Sequence, residues 1–301
     1  MIELDIAGTQ TVGTRADQQD SAGTLRLGGH RDRALLIVAD GLGGHADGAA
    51  AARIVTETLR ERAEGGAFDV PARCRHALDD AIYEINRLIL AARNPEDGER
   101  GSASTAVAAV IAEGRVCWIS IGDSHLYIWR RGRLVKLNAD HSQTGRMVRQ
   151  GRSPNDPAVL AARSLLTSAL TGDPIEEIDS PEHDVPLAIG DVVLLASDGL
   201  NTLDTAEIAQ TIGRAFESGA EAIANGLVSA VLAHGLRKQD NTTVIAARIL
   251  GSGAPASADD EVPKVTPMPV HEGAPRRRWH LAAGLVLLVA ILASVIMTQM
   301  P

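Results

Sequence analysis

The chain has 301 residues, enough for one large domain or two small ones with a full core. Its net charge of −9 argues against broad binding to nucleic-acid phosphates, and an aromatic content of 2% argues against base stacking and leaves a core of Leu, Val, Ile and Ala. The two cysteines, Cys74 and Cys117, lack CxxC spacing and read as reduced thiols rather than a disulfide framework or zinc site.

A short strand is expected over 2–6, followed by a polar turn over 13–20. Residues 35–39 are a continuous apolar run, suited to a strand covered on both faces, and they end in Asp40 and the glycines Gly41, Gly43 and Gly44. A helix follows over 49–63. Asp69 is expected to cap a second helix with Pro71 in its first turn. Leu78, Ile82, Ile85, Leu88 and Ile89 give that helix its apolar face.

Strands over 105–111, 116–121 and 126–130 are joined by the turn pairs Glu113-Gly114 and Arg131-Gly132, so they form antiparallel hairpins. Arg130, Arg131 and Arg133 read as a solvated charge run. Residues 139–165 read as a partly irregular excursion. A second all-apolar strand over 192–197 ends in Asp198-Gly199. Helices over 204–213 and 219–234 precede a last strand over 242–248, opened by Asp240-Asn241. This order departs from regular βαβα alternation and points to packed antiparallel sheets with helices outside.

The first residues carry acids and no long apolar run, so no amino-terminal signal segment is expected. One globular domain is expected over 1–250. Residues 251–278, rich in Pro, Ala, Gly, Ser and acid, read as a disordered linker whose ~28 residues span roughly 30 Å. Residues 281–297 are all apolar, Gly or Ser. Extended to 279–298, this run is about 20 residues and ~30 Å long as a helix, which matches a bilayer core. Arg276, Arg277 and Arg278 precede it, so a single-pass transmembrane helix in the inner membrane is expected, with the domain in the cytoplasm.

Asp20, Asp40, Asp123, Asp198 and Asp240 all fall at expected strand ends or adjoining turns. One Asp-Gly is an ordinary tight turn. Two that close apolar strands, joined by Gly122-Asp123-Ser124 and Asp240-Asn241-Thr242-Thr243, form a pattern. No His or Cys accompanies them at ligand spacing, and oxygen-only sets suit hard cations such as Mg²⁺ or Mn²⁺. Two such ions about 3.5–4 Å apart could share one aspartate and activate a bridging water for attack on phosphorus. Arg15 is then a natural anchor for phosphate oxygens.

These residues resemble the bacterial metal-dependent serine/threonine protein phosphatases, the protein phosphatase 2C-like or PPM family. The matching motifs lie at 15–21, 39–45, 122–124, 140–142, 165–167, 190–200 and 240–244. The resemblance implies an α+β fold, a four-layer α-β-β-α sandwich of two antiparallel sheets flanked by helices. It implies two Mn²⁺ or Mg²⁺ ions with a weaker third. Asp40 matches the aspartate that bridges both ions, and Gly41 matches a carbonyl ligand. Asp198 and Asp240 match ligands of one ion. Asp20 matches the acid that supports metal-bound waters, Asp123 a ligand of the third ion, and Arg15 the phosphate-binding arginine. The excursion over 140–165 corresponds to the family's mobile flap.

The activity implied is hydrolysis of phosphoserine and phosphothreonine by a metal-bridging water. The implied partners are phosphorylated proteins, a serine/threonine kinase and its targets, and no nucleic acid. Three residues depart from the family pattern: Gln19 replaces a common Glu, Leu42 a histidine of eukaryotic relatives, and His125 the usual arginine. Gln19 and Leu42 motivate an alternative, a membrane-tethered phosphoprotein-binding module with little or no catalysis.

Overall fold

The structure is a computed structural model that describes residues 2–43, 45–93, 101–153, 156–162 and 165–251. The expected linker beyond Gly251 and the expected helix over 279–298 lie outside the described residues. Among the described residues, no helix is long and apolar enough to cross a membrane.

Strands β1 (Ile2–Thr11), β2 (Asp20–Arg26) and β3 (Ala34–Leu42) come first. Helices α1 (His45–Glu64) and α2 (Cys74–Ala92) follow. Next come β4 (Ala103–Ser104), β5 (Ala106–Ala112), β6 (Arg115–Ile121), β7 (His125–Arg130) and β8 (Arg133–Lys136). The short helices α3 (Gln143–Arg149) and α4 (Pro157–Ala161) lead to β9 (Val185–Pro186) and β10 (Val192–Ala196). Helices α5 (Thr205–Ala215) and α6 (Ala220–Ala233) and strand β11 (Thr242–Gly251) complete the order.

One sheet runs β1-β11-β10-β7-β8 and the other β2-β3-β5-β6-β9, with β4 paired to β3. Neighbouring strands in both sheets pair antiparallel. Three buried clusters define four layers. Leu36, Val38, Trp118, Leu126, Val193 and Ile245 pack between the two sheets. Val55, Leu59, Ile82 and Ile85 pack α1 and α2 onto the outer face of the β3 sheet. Ile208, Ile212, Leu227 and Val231 pack α5 and α6 onto the outer face of the β10 sheet. The α-β-β-α sandwich expected from the sequence is the observed architecture. Strands β3, β5 and β10 are buried on both faces, which explains their unbroken apolar runs.

Some local expectations need correction. Asp69 does not cap α2: Val70 precedes a 3₁₀ turn over Pro71–Arg73, and α2 starts at Cys74 with no side-chain cap. Leu88 is exposed rather than on the apolar face. The polar turn stops at Asp20, where β2 begins with alternating burial that Gly23 and Thr24 obscured in the sequence. Strand β8 lies where no strand was expected.

Arg130 is no part of a solvated charge run. Its guanidinium is buried and forks onto Asp191, with Nε and Nη2 each 2.7 Å from a carboxylate oxygen. Asp191 also accepts from the Ala188 amide at 2.8 Å. This pair fixes the end of β7 to the entry of β10. Removing one partner leaves the other charged and buried, which destabilises by about 3–5 kcal/mol. Arg130→Met is therefore expected to lower the urea unfolding free energy by about that amount. A change below about 1 kcal/mol, the size of a surface pair, would contradict this role.

Candidate metal centre

Asp20 and Asp40 are direct partners in the β2–β3 register, so their side chains leave one sheet together. Asp198 follows β10 and starts a 3₁₀ turn, and Asp240 lies two residues before β11. Strands β10 and β11 are neighbours in the other sheet. The four aspartates therefore meet across the sandwich at one end of both sheets. Hydroxyls bind the two sheets there: Ser197 Oγ and Thr243 Oγ1 donate to Asp20 Oδ2 at 2.8 and 2.7 Å.

The backbone of Asp40 is held at both polar groups. Its N–H donates to Thr105 Oγ1 at 3.0 Å, and its carbonyl accepts from the Thr105 amide at 2.9 Å. Gly41 leaves no space for a side chain, because a Cβ there would collide with the Gly48 carbonyl at the start of α1. Gly41 thus permits helix α1 to close on the end of β3.

Arg15 sits on a loop that the Asn241 side chain helps to pin. Asn241 accepts from the Gln19 amide at 2.8 Å and donates to the carbonyls of Val12 and Asp17 at 2.9 and 3.1 Å. The Arg15 guanidinium donates to Asp240 Oδ2 at 2.5 Å, with the Arg15 side chain 59% exposed. That hydrogen bond raises the Arg15 pKa above its ordinary value. The cation stands beside the carboxylate cluster and open to solvent.

The cluster is electrostatically strained. Burial and then the charges of Asp198, Asp20, Asp123 and Asp240 hold the Asp40 pKa well above the ordinary 3.8. Asp198 is raised to about 6 by burial and by Asp240 and Asp20, while a hydrogen bond with Asp40 opposes the shift. Asp20 is raised to about 6, chiefly by burial, against the two hydroxyls that it accepts from. Asp20 Oδ1 is buried and has no hydrogen-bond partner.

Asp123, after β6, is buried and raised to about 7 by burial, Asp198 and Asp140. Beyond it stand Asp140 and Lys136, 3.9 Å apart, and Lys136 Nζ lies 2.9 Å from His125 Nδ1. His141 Nδ1 accepts from the Gly122 amide at 3.2 Å, and burial lowers its pKa to about 4. His141 is a buried structural partner.

The donor set fits a hard divalent cation. Every candidate ligand is an oxygen, one carboxylate oxygen is buried without a partner, and the mutual repulsion calls for positive charge. Among the described residues, no three His, Cys, Asp or Glu side chains converge tightly enough to cage an ion alone.

The structure brings Arg15, Asp20, Asp40, Gly41, Asp198 and Asp240 together, with Asp123 at the border. Sequence reasoning missed the supports: Thr105, Ser197, Thr243 and Asn241. The Ser-Asp-Gly and Asp-Asn-Thr-Thr motifs contain three of them, but nothing in the motifs assigns their partners. Lys136 was missed entirely, because a lysine on a short strand looks solvated.

The raised pKa values set a direction for pH dependence. The folded, metal-free protein retains protons on Asp20, Asp198 and Asp123 that the unfolded chain releases near 3.8. These carboxyls therefore withdraw stability as pH rises from about 4 to about 7. Metal binding displaces the same protons and strengthens across that window. The gap in melting temperature between Mn²⁺-loaded and EDTA-treated protein is expected to widen from pH 5 to pH 7.5. A ligand at a hundred times its Kd adds about 2.7 kcal/mol. A gap that is constant with pH would contradict the proton–metal competition.

Comparison with known proteins agrees with this geometry. Residues 7–237 match the family described as Protein phosphatase 2C. The chain is 30% identical over 171 residues to the serine/threonine phosphatase stp of Listeria monocytogenes, covering 56% of this chain and 67% of that protein. It is 31% identical over 191 residues to the serine/threonine protein phosphatase PstP of Mycobacterium tuberculosis, covering 62% of this chain but only 34% of that protein. Among solved structures, the catalytic domain of PstP in complex with two manganese ions superposes with a TM-score of 0.68 at 27% identity, over 83% of this chain and 100% of that one. PppA, a regulatory component of the type VI secretion system in Pseudomonas aeruginosa, superposes with a TM-score of 0.67 at 26% identity, again over 83% and 100%. With the family match spanning most of the sequence and the carboxylate cluster at the sheet ends, this chain belongs to the protein phosphatase 2C family.

Proposed function

We propose that this chain is a metal-dependent phosphatase that removes phosphate from phosphoserine and phosphothreonine in proteins. The observation that carries this reading is the meeting of Asp20, Asp40, Asp198 and Asp240 at one end of both sheets, with the exposed Arg15 cation beside them. Asp40 stands where the other carboxylates crowd it most, which suits a ligand shared by two ions. The Gly41 carbonyl follows it on the same rigid strand. Asp198 and Asp240 would hold one of the ions, and Asp20 would support its waters. Bound Mn²⁺ or Mg²⁺ supplies Lewis acidity to the phosphoryl oxygens and acidifies a water nucleophile.

The chain's own residues do the rest. Ser197 and Thr243 hold one oxygen of Asp20 and leave the other buried without a hydrogen-bond partner. Arg15, exposed beside Asp240, would bind the substrate phosphate. A guanidinium matches two phosphate oxygens at once. Asn241 keeps the Arg15 loop in place.

The test uses p-nitrophenyl phosphate and a phosphothreonine peptide with Mn²⁺. Activity is expected to require the metal and to fall at least about a hundredfold in Asp40→Asn, in line with losing a principal electrostatic stabiliser. Arg15→Ala is expected to lower kcat/KM by about 10- to 150-fold, the value of a charged hydrogen bond of about 1.5–3 kcal/mol. Equal turnover by the native protein and Asp40→Asn would refute the site. Tight phosphopeptide binding without turnover would instead favour the binding-module alternative.

We further propose that residues 279–298 anchor the domain to the inner membrane, with the catalytic domain in the cytoplasm. Support comes from the uninterrupted apolar run and the arginines before it. The natural partners are a serine/threonine kinase and its targets. The full chain is expected in the membrane fraction and a chain ending at Gly251 in the soluble fraction. Equal membrane recovery of both would remove this role.

A further inference from the structure

Beyond the metal cluster lies a lysine whose surroundings are unusual for a short edge strand. In the β7–β8 register Lys136 stands opposite Tyr127, and His125 is two residues earlier on the same strand face. Lys136 therefore reaches His125 on the diagonal, and its Nζ lies 2.9 Å from Nδ1. An ammonium only donates, so Nδ1 accepts and the imidazole carries its proton on Nε2. His125 is buried and fixed in its strand, so it holds the ammonium in one place. The same ammonium is 3.9 Å from Asp140 Oδ2. Asp140 Oδ1 is buried and unpartnered, and Asp123 lies two residues before His125.

We propose that Lys136, positioned by His125, is a built-in cation that takes the place of a third divalent ion beside Asp123. The protein then binds two ions tightly and not three. The inference rests on the metal-dependent reading above. The geometry supports it: the ammonium already stands 3.9 Å from Asp140 Oδ2, on the strand that pairs with the one following Asp123. A dication bound at Asp140 also meets the ammonium, whose Nζ lies 3.9 Å from Asp140 Oδ2, a repulsion several times the thermal energy at an effective dielectric of about 20. Burial lowers the Lys136 pKa from its ordinary value, while Asp140, Asp123 and Asp179 oppose that shift and Arg149 adds to it. Asp123 is held up to about 7 by burial, Asp198 and Asp140, with Lys136 opposing. Lys136 is thus a positioning residue: it acts on the charge and placement of Asp123 and does not touch substrate.

The experiment counts Mn²⁺ bound by the full-length protein at pH 7.5, from the electron paramagnetic resonance signal of free Mn²⁺. The wild-type chain is expected to take up two ions. Lys136→Met is expected to take up a third, at least about tenfold tighter than any third uptake by wild type, while Lys136→Arg stays at two. Lys136→Gln keeps a donor for His125 without the charge, and serves the same test if the methionine variant does not fold. Three tight ions in wild type, or unchanged stoichiometry and affinity in the neutral variants, would overturn this inference alone. No uptake by wild type would overturn the metal-dependent reading as well.

Discussion

Carboxylates of like charge are crowded at one end of a sandwich whose interior strongly opposes their ionisation. Asp40 is raised well above the ordinary carboxyl pKa by burial and by four neighbouring aspartates. No protein arranges this for stability alone, since each buried, unpaired charge is unfavourable. The cluster becomes reasonable once divalent cations are part of the structure. The surrounding scaffold then has one task, to hold repelling groups in place until positive charge arrives.

The frame is suited to that task. Asp40 and Asp198 end strands buried on both faces, so their backbones cannot drift without disturbing the core. Thr105 clamps the Asp40 peptide, and Gly41 lets α1 close against it. Ser197 and Thr243 join the two sheets through Asp20. Asn241 ties the Arg15 loop to the β11 entrance. Asp40 thus sits on a rigid strand, Asp198 and Asp240 flank rigid strands, and the Arg15 side chain, 59% exposed, is placed to meet a substrate.

Much of this was legible in the sequence, for physical reasons. A strand covered on both faces must be continuously apolar, so β3 and β10 announced themselves, and the Asp-Gly at each exit stood out against them. The long amphipathic helix α2 was equally plain in its spacing. Alternating, half-exposed β2 was hidden by Gly23 and Thr24, and β8 by its shortness. Arg130 looked like surface charge beside Arg131, because sequence contains no sign of the distant Asp191 that buries it. Hydroxyl partners were unreadable for the same reason: Asp20 and Thr243 are 223 positions apart. His125 was an unexplained departure from the family pattern. In the structure it lies 2.9 Å from Lys136 on the adjacent strand.

The central claim is that the aspartates at the sheet ends form a two-ion site. Anomalous diffraction at the manganese edge, from crystals grown with Mn²⁺, tests it most directly. The account predicts two strong peaks, both within coordination distance of Asp40, one also beside the Gly41 carbonyl and the other beside Asp198 and Asp240. Peaks elsewhere, or none at Asp40 under saturating Mn²⁺, would contradict it.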